Sequence, residues 1–157
     1  MTMIIDGSNG VTFPNSTIQA SAGSVLQVVN ANYNTYVSTT STSFTDTGLT
    51  ASITPKFATS KILILISING INGSAIPFTF IIANGSNTQI LSFVDNNFAG
   101  FAGYSASASV IDTPSTTSLC TYKVRYKANT AGTVYFNNYF TTNGNTGSTI
   151  TLMEIAA

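Results

Sequence analysis

The segment Cys120-Thr121-Tyr122-Lys123-Val124-Arg125-Tyr126-Lys127 alternates two kinds of side chain without a break. A period of two fits a strand with one buried face, because successive side chains of a strand point to opposite sides. The pattern predicts Cys120, Tyr122, Val124 and Tyr126 inward and Lys123, Arg125 and Lys127 outward. Those three cations are most of the five Lys and Arg in the chain, so other groups must keep the rest of the surface in water. Only 6% of the 157 residues are charged, against about 25% in a typical soluble domain. Ser, Thr and Asn together supply 60 residues. The strong helix formers Lys, Glu and Arg are scarce, and no 3.6-residue apolar stripe is evident.

The strand reading extends along the chain. Leu49, Ala51 and Ile53 alternate with Thr50, Ser52 and Thr54, up to Pro55, which ends the ladder. Residues 61–68 form a dense apolar run, consistent with a central strand covered on both faces. Residues 77–83 and 89–94 pair across Asn84-Gly85-Ser86-Asn87, which reads as a hairpin turn. Residues 133–140 and 149–155 follow. Short strands at about ten-residue spacing predict an all-β antiparallel β-sandwich or jelly roll over residues 23–157.

Residues 1–22 hold very short apolar pieces among Gly7, Gly10 and Pro14, too little to pack alone. They predict an extended N-terminal arm for docking and oligomerisation. It would bury Ile4, Ile5, Val11, Phe13 and Ile18 against other chains. The plainer alternative is a first strand of the body followed by a loop.

Composition excludes several functions. Five basic and five acidic residues cancel, leaving no excess of cations for a nucleic-acid partner. The absence of His removes Ser-His-Asp and Cys-His nucleophile systems and His-bearing zinc sites. One Cys makes neither an intramolecular disulfide nor a multi-thiolate site. No apolar run approaches the ~18 residues of a membrane span, so membrane insertion is not expected. No cofactor is implied. The first residues lack a secretory leader's charged and apolar regions, which predicts synthesis in a cytoplasm; with a surface so poor in charge, release by lysis would reconcile the two.

Two regions resemble known virion proteins. Asn9-Gly10-Val11-Thr12-Phe13-Pro14-Asn15-Ser16-Thr17-Ile18-Gln19 resembles a segment of bacteriophage tail fibres, with Asn15-Ser16 where Asp-Gly is usual. Further pieces resemble a phage and prophage virion domain: Gly23-Ser24-Val25-Leu26-Gln27-Val28, residues 39–49 and especially Ser43-Phe44-Thr45-Asp46-Thr47-Gly48-Leu49, Ile53-Thr54-Pro55, Thr59-Ser60-Lys61-Ile62-Leu63, Asp112-Thr113-Pro114, Thr121-Tyr122-Lys123-Val124 and Ser148-Thr149-Ile150-Thr151-Leu152-Met153-Glu154-Ile155. They occur in order along nearly the whole chain; residues 69–110 match nothing.

The resemblance implies a structural protein of a tailed-bacteriophage virion, a homotrimeric tail fibre or knob and not an enzyme. Its partners would be copies of itself, other tail or capsid proteins, and a host-surface glycan. The alternative is a capsid decoration or head-fibre protein that stabilises the shell. A third reading, a glycan-degrading tailspike, needs paired carboxylates such as Asp95 and Asp112. Both sit where Asx-turns form, as does Asp46.

Candidate recognition residues follow from residue type. Lys123, Arg125 and Lys127 form a basic stripe suited to an anionic sugar or a virion partner, or to guarding a sheet edge. Phe98, Phe101 and Tyr104 lie in a glycine-rich stretch where aromatics can stack on sugars or anchor an interface. Tyr33 and Tyr36 allow the same readings, with ordinary packing as the alternative. Cys120 is expected to be a buried thiol.

Overall fold

Thirteen strands and no helix make up the described part of the computed structural model, residues 4–6, 10–12, 18–19, 24–73, 76–96, 104–138 and 147–156. In chain order they are β1 (Ile4–Asp6), β2 (Gly10–Thr12), β3 (Ile18–Gln19), β4 (Val25–Tyr33), β5 (Val37–Thr39), β6 (Thr45–Ile53), β7 (Lys61–Gly73), β8 (Phe78–Asn84), β9 (Gln89–Asn96), β10 (Tyr104–Asp112), β11 (Cys120–Ala128), β12 (Val134–Phe136) and β13 (Ser148–Ile155). Every pairing is antiparallel.

β7 is the spine of a six-stranded sheet. One edge pairs with β13 and then β12; the other pairs with β10. β4 flanks β13, and β5 flanks β12. A four-stranded sheet runs in the order β6-β11-β8-β9. The inner faces share one core, a sandwich-like arrangement. Ile62, Ile64, Ile66, Ile68, Ile150, Leu152 and Phe136 meet Leu49, Ile53, Tyr122, Val124, Tyr126, Phe80 and Ile82. Each such side chain contributes about 1.5–3 kcal/mol through burial.

The alternation along 120–127 is realised. Tyr122, Val124 and Tyr126 are buried, and the residues between them are part-exposed. Two expectations are corrected. The run 61–68 is central but covered on one face only: Leu63 and Leu65 are half-buried and Ser67 is exposed. The strand buried on both faces is β8, where even Thr79, Ile81 and Ala83 are shielded. The predicted strand over 133–140 ends at Phe136. Asn137 takes φ 56°, a left-handed conformation that asparagine tolerates. Its buried amide then donates to the carbonyls of Tyr33 (2.8 Å) and Thr35 (3.2 Å) and accepts from Ser148 Oγ (2.5 Å).

The leading residues pair with one another instead of lying as a single extended peptide. β1, β2 and β3 form a three-stranded sheet, with Ile4 opposite Thr12, Ile5 opposite Val11 and Ile18 opposite Thr12. The side chains of Ile4, Ile5, Val11 and Ile18, and all of Phe13, lie outside the described residues.

On the outer face of the six-stranded sheet, register aligns Val28, Met153, Leu63 and Ile111 in one row across four strands. Val28 and Ile111 are 54% and 55% exposed. The next rows are Asn30, Thr151, Leu65, Ser109 and Asn32, Thr149, Ser67, Ser107, which carry no charge.

Candidate functional site

The basic stripe on β11 is shaped by an irregularity in β6. Lys123 faces Thr50 while Arg125 faces Asp46, so the register shifts between them and β6 carries extra residues there. Buried Thr47 holds this bulge: its hydroxyl donates to the Val124 carbonyl (2.9 Å) and accepts from the Leu49 N–H (3.1 Å). Gly48 follows with φ 97°, and the Tyr33 ring sits on its open face.

The bulge delivers Asp46 to the stripe. Its carboxylate accepts from Lys123 Nζ (2.8 Å) and Arg125 Nε (2.6 Å). Partial burial works against ionisation, but the two cations outweigh it and hold the Asp46 carboxyl below the usual range. Arg125 also donates to the Phe44 carbonyl (2.7 Å), and the Lys127 ammonium lies 5.1 Å from the centre of the Phe44 ring. All three cations thus have partners within the chain. Guarding an edge is not their task, because β11 is paired on both sides, with β6 and β8.

A second cluster lies beyond the end of β11. Fully buried Tyr122 donates its hydroxyl to Asp112 Oδ2 at 2.7 Å. Burial, and then the carboxylate, push the Tyr122 phenol far above its ordinary value, so it remains a donor. Asp112 Oδ1 has no protein partner among the described residues. Asn84 Oδ1 is occupied by the N–H groups of Ser86 (3.1 Å) and Thr88 (2.9 Å), which shape the β8–β9 turn.

These groups line a cavity of about 360 Å³ with Gly85, Ser86, Pro114, Thr116, Cys120 and Thr121. Leu119, 66% exposed, stands at its margin. An adjoining cavity of about 290 Å³ is bounded by Asp46, Gly48, Thr50 and Lys123. Gly85 and Thr121 line both, so the two lobes lie side by side.

Cys120 is half-buried, not fully buried as expected, because it opens β11 where the sheet ends. Burial and the nearby Asp112 raise its thiol, which disfavours the nucleophilic thiolate. Asp95 and Asp112 are engaged separately: Asp95 accepts from Thr79 (3.2 Å), Asp112 from Tyr122. Tyr33 stacks on Phe136 and Tyr36 on Tyr135, with centroids 6.2 and 5.9 Å apart. Phe98 and Phe101 lie outside the described residues. Tyr104 opens β10, but its side chain is also outside them. Among the described residues no three metal-ligating side chains converge, and no helix is long and apolar enough to cross a membrane.

The groove was not anticipated as a site. Asn84 and Gly85 read as turn residues, and Asp112 as a turn residue or one of a carboxylate pair. An exposed leucine beside Ser118 in a polar loop was the available signal.

No protein-family model and no curated protein matches the chain. Among solved structures it is similar to the "Structure of infectious bursal disease virus Gx strain", with 12% identity and a TM-score of 0.30. That match covers 84% of this chain and 40% of the other, so the chain spans less than half the length of its structural neighbour.

Proposed function

We propose that this chain is a structural protein of a tailed-bacteriophage virion, a homotrimeric tail fibre or knob. Residues 1–22 dock it to the particle and its loops adhere to the host surface. The observation that carries the reading is the apolar row Val28–Met153–Leu63–Ile111 on the outer face of the six-stranded sheet. Exposed apolar surface aligned across four strands marks a contact surface. The occupants are the other two copies, each chain turning this same face toward a threefold axis. On one side the next rows carry mostly Ser, Thr and Asn, which both donate and accept hydrogen bonds and complement themselves; on the other side Lys61 and Ile155 bound the apolar row. A specific interface buries about 800 Å² per partner, more than one row of four side chains supplies. The neighbouring rows and the leading residues contribute the remainder. The function is assembly and adhesion, with no catalytic step and no cofactor.

Antibody labelling of lysis-released particles tests this. Signal is expected at tail ends or fibres. Signal confined to the capsid would favour the decoration reading instead. Protein found only in the particle-free fraction would refute both.

A further inference from the structure

We infer that the groove between β11, the β8–β9 turn and the 113–119 loop binds a neutral oligosaccharide, one ring unit per lobe. The inference rests on the adhesive part of the reading above and gives that adhesion a site and a ligand class. Asp112 Oδ1 is an open acceptor whose carboxylate is fixed from behind by the Tyr122 hydroxyl (2.7 Å). Fixing an acceptor before the ligand arrives lowers the ordering cost of binding. Asn84 Nδ2 is a donor without a protein partner among the described residues, on a side chain whose oxygen is committed to the turn. Ser86, Thr116 and Thr121 add hydroxyls that can donate or accept. Exposed Leu119 and Pro114 offer an apolar rim for the C–H face of a sugar ring.

The ligand class follows from what lines the groove. Asp112, which has no cationic partner among the described residues, disfavours phosphate, sulfate and sialic acid. Lys123, the lone cation lining either lobe, is already paired with Asp46. Capture of a peptide backbone needs an unpaired strand edge, and β11 is paired on both edges. The two lobes meet at Gly85, where an added Cβ would come only to 3.4 Å from Thr121 Cβ. A side chain there is therefore tolerated by the fold while filling space beside both lobes. Binding by one chain is weak, and several copies on one particle multiply it.

The test uses the purified full chain on an array of neutral oligosaccharides of two to four units, with sialylated and sulfated counterparts. Neutral glycans are expected to bind, and the leading hit is then measured by saturation-transfer NMR. Asp112→Asn, which keeps an oxygen for Tyr122, and Gly85→Leu should each weaken it about ten- to a hundredfold. Leu119→Ser, on the exposed rim, should weaken it without affecting folding. Val28→Lys, on β4 at the far side of the six-stranded sheet from β10, should leave the affinity per chain unchanged. Preference for acidic glycans, or neutral binding indifferent to Asp112→Asn and Leu119→Ser, would overturn the inference. So would a failure of every neutral glycan to bind. If in that last case the particles still label, only the groove assignment falls and the virion reading stands.

Discussion

Gly48→Ala probes the joint between the two sheets. At φ 97° the backbone lies beyond the small left-handed region that other residues visit. An L-residue held there costs about 1–3 kcal/mol. A Cβ at this position would also stand 2.4 Å from Tyr33 Cζ and 2.6 Å from its Oη. The ring is part-exposed and can swing outward, but it then leaves its stack on Phe136 (6.2 Å between centroids). Loss of such a stack costs about 0.5–1.5 kcal/mol. The sum is about 2–4 kcal/mol, a fall of roughly 5–15 °C in melting temperature for a chain of this size. Melting should be followed by circular dichroism at one fixed protein concentration, since association itself shifts the midpoint. A double-mutant cycle separates the two contributions. With Tyr33→Ala in place, Gly48→Ala should cost less, because only the backbone part remains. A Gly48→Ala protein within about 0.5 kcal/mol of the parent, the range of ordinary surface changes, would refute the reasoning.

Other substitutions test the remaining polar anchors. Glu154 is buried and accepts from Gln27 Nε2 (2.5 Å) and the Lys56 N–H (2.6 Å). Burial alone would raise its carboxyl, but the surrounding donors hold it below the ordinary value. The stability it adds is therefore present above the unfolded-chain value near 4.5 and lost as pH falls through the lower folded value. Urea midpoints between pH 7 and pH 3 should show that loss, and Glu154→Gln should flatten it while costing about 2–3 kcal/mol at pH 7. Asn137→Ala should cost about 2–4 kcal/mol by orphaning the Tyr33 and Thr35 carbonyls and the Ser148 hydroxyl, measured by the same denaturation. Asp46→Asn should change stability by less than about 1 kcal/mol in 0.15 M salt, because the carboxylate is half-exposed and screened by solvent. A larger loss would mean that the cations, and not Thr47 and Gly48, hold the bulge.

The parts of the fold visible in the residues are those with strong contrast between faces. Along 120–127, large apolar and charged side chains alternate, so one strand and its buried face could be read directly. β10 has the same period, but Ser105, Ser107 and Ser109 alternate with Ala106, Ala108 and Val110. The hydropathy step is small, and no strand was expected there. The dense apolar runs of β7 and β8 look alike in sequence. Which of them is covered on both faces depends on tertiary packing, and the structure assigns it to β8. The groove was invisible for a different reason. Asn84, Asp112 and Thr121 are turn or strand-end residues of ordinary type, brought together by the pairing of β11 with β8 and β6 and by the end of β10. The bulge at Gly48 likewise depends on register, although a Thr-Gly step inside an alternating strand was a local hint.

Sedimentation equilibrium of the purified full chain, alone and as the Val28→Lys/Ile111→Lys double variant, addresses self-association most directly. The parent should have the mass of three chains, and the variant one chain with an unchanged circular dichroism spectrum. A parent that sediments as a single chain at every concentration, or a variant that still forms the same multimer, would contradict the assignment of that sheet face to copies of itself.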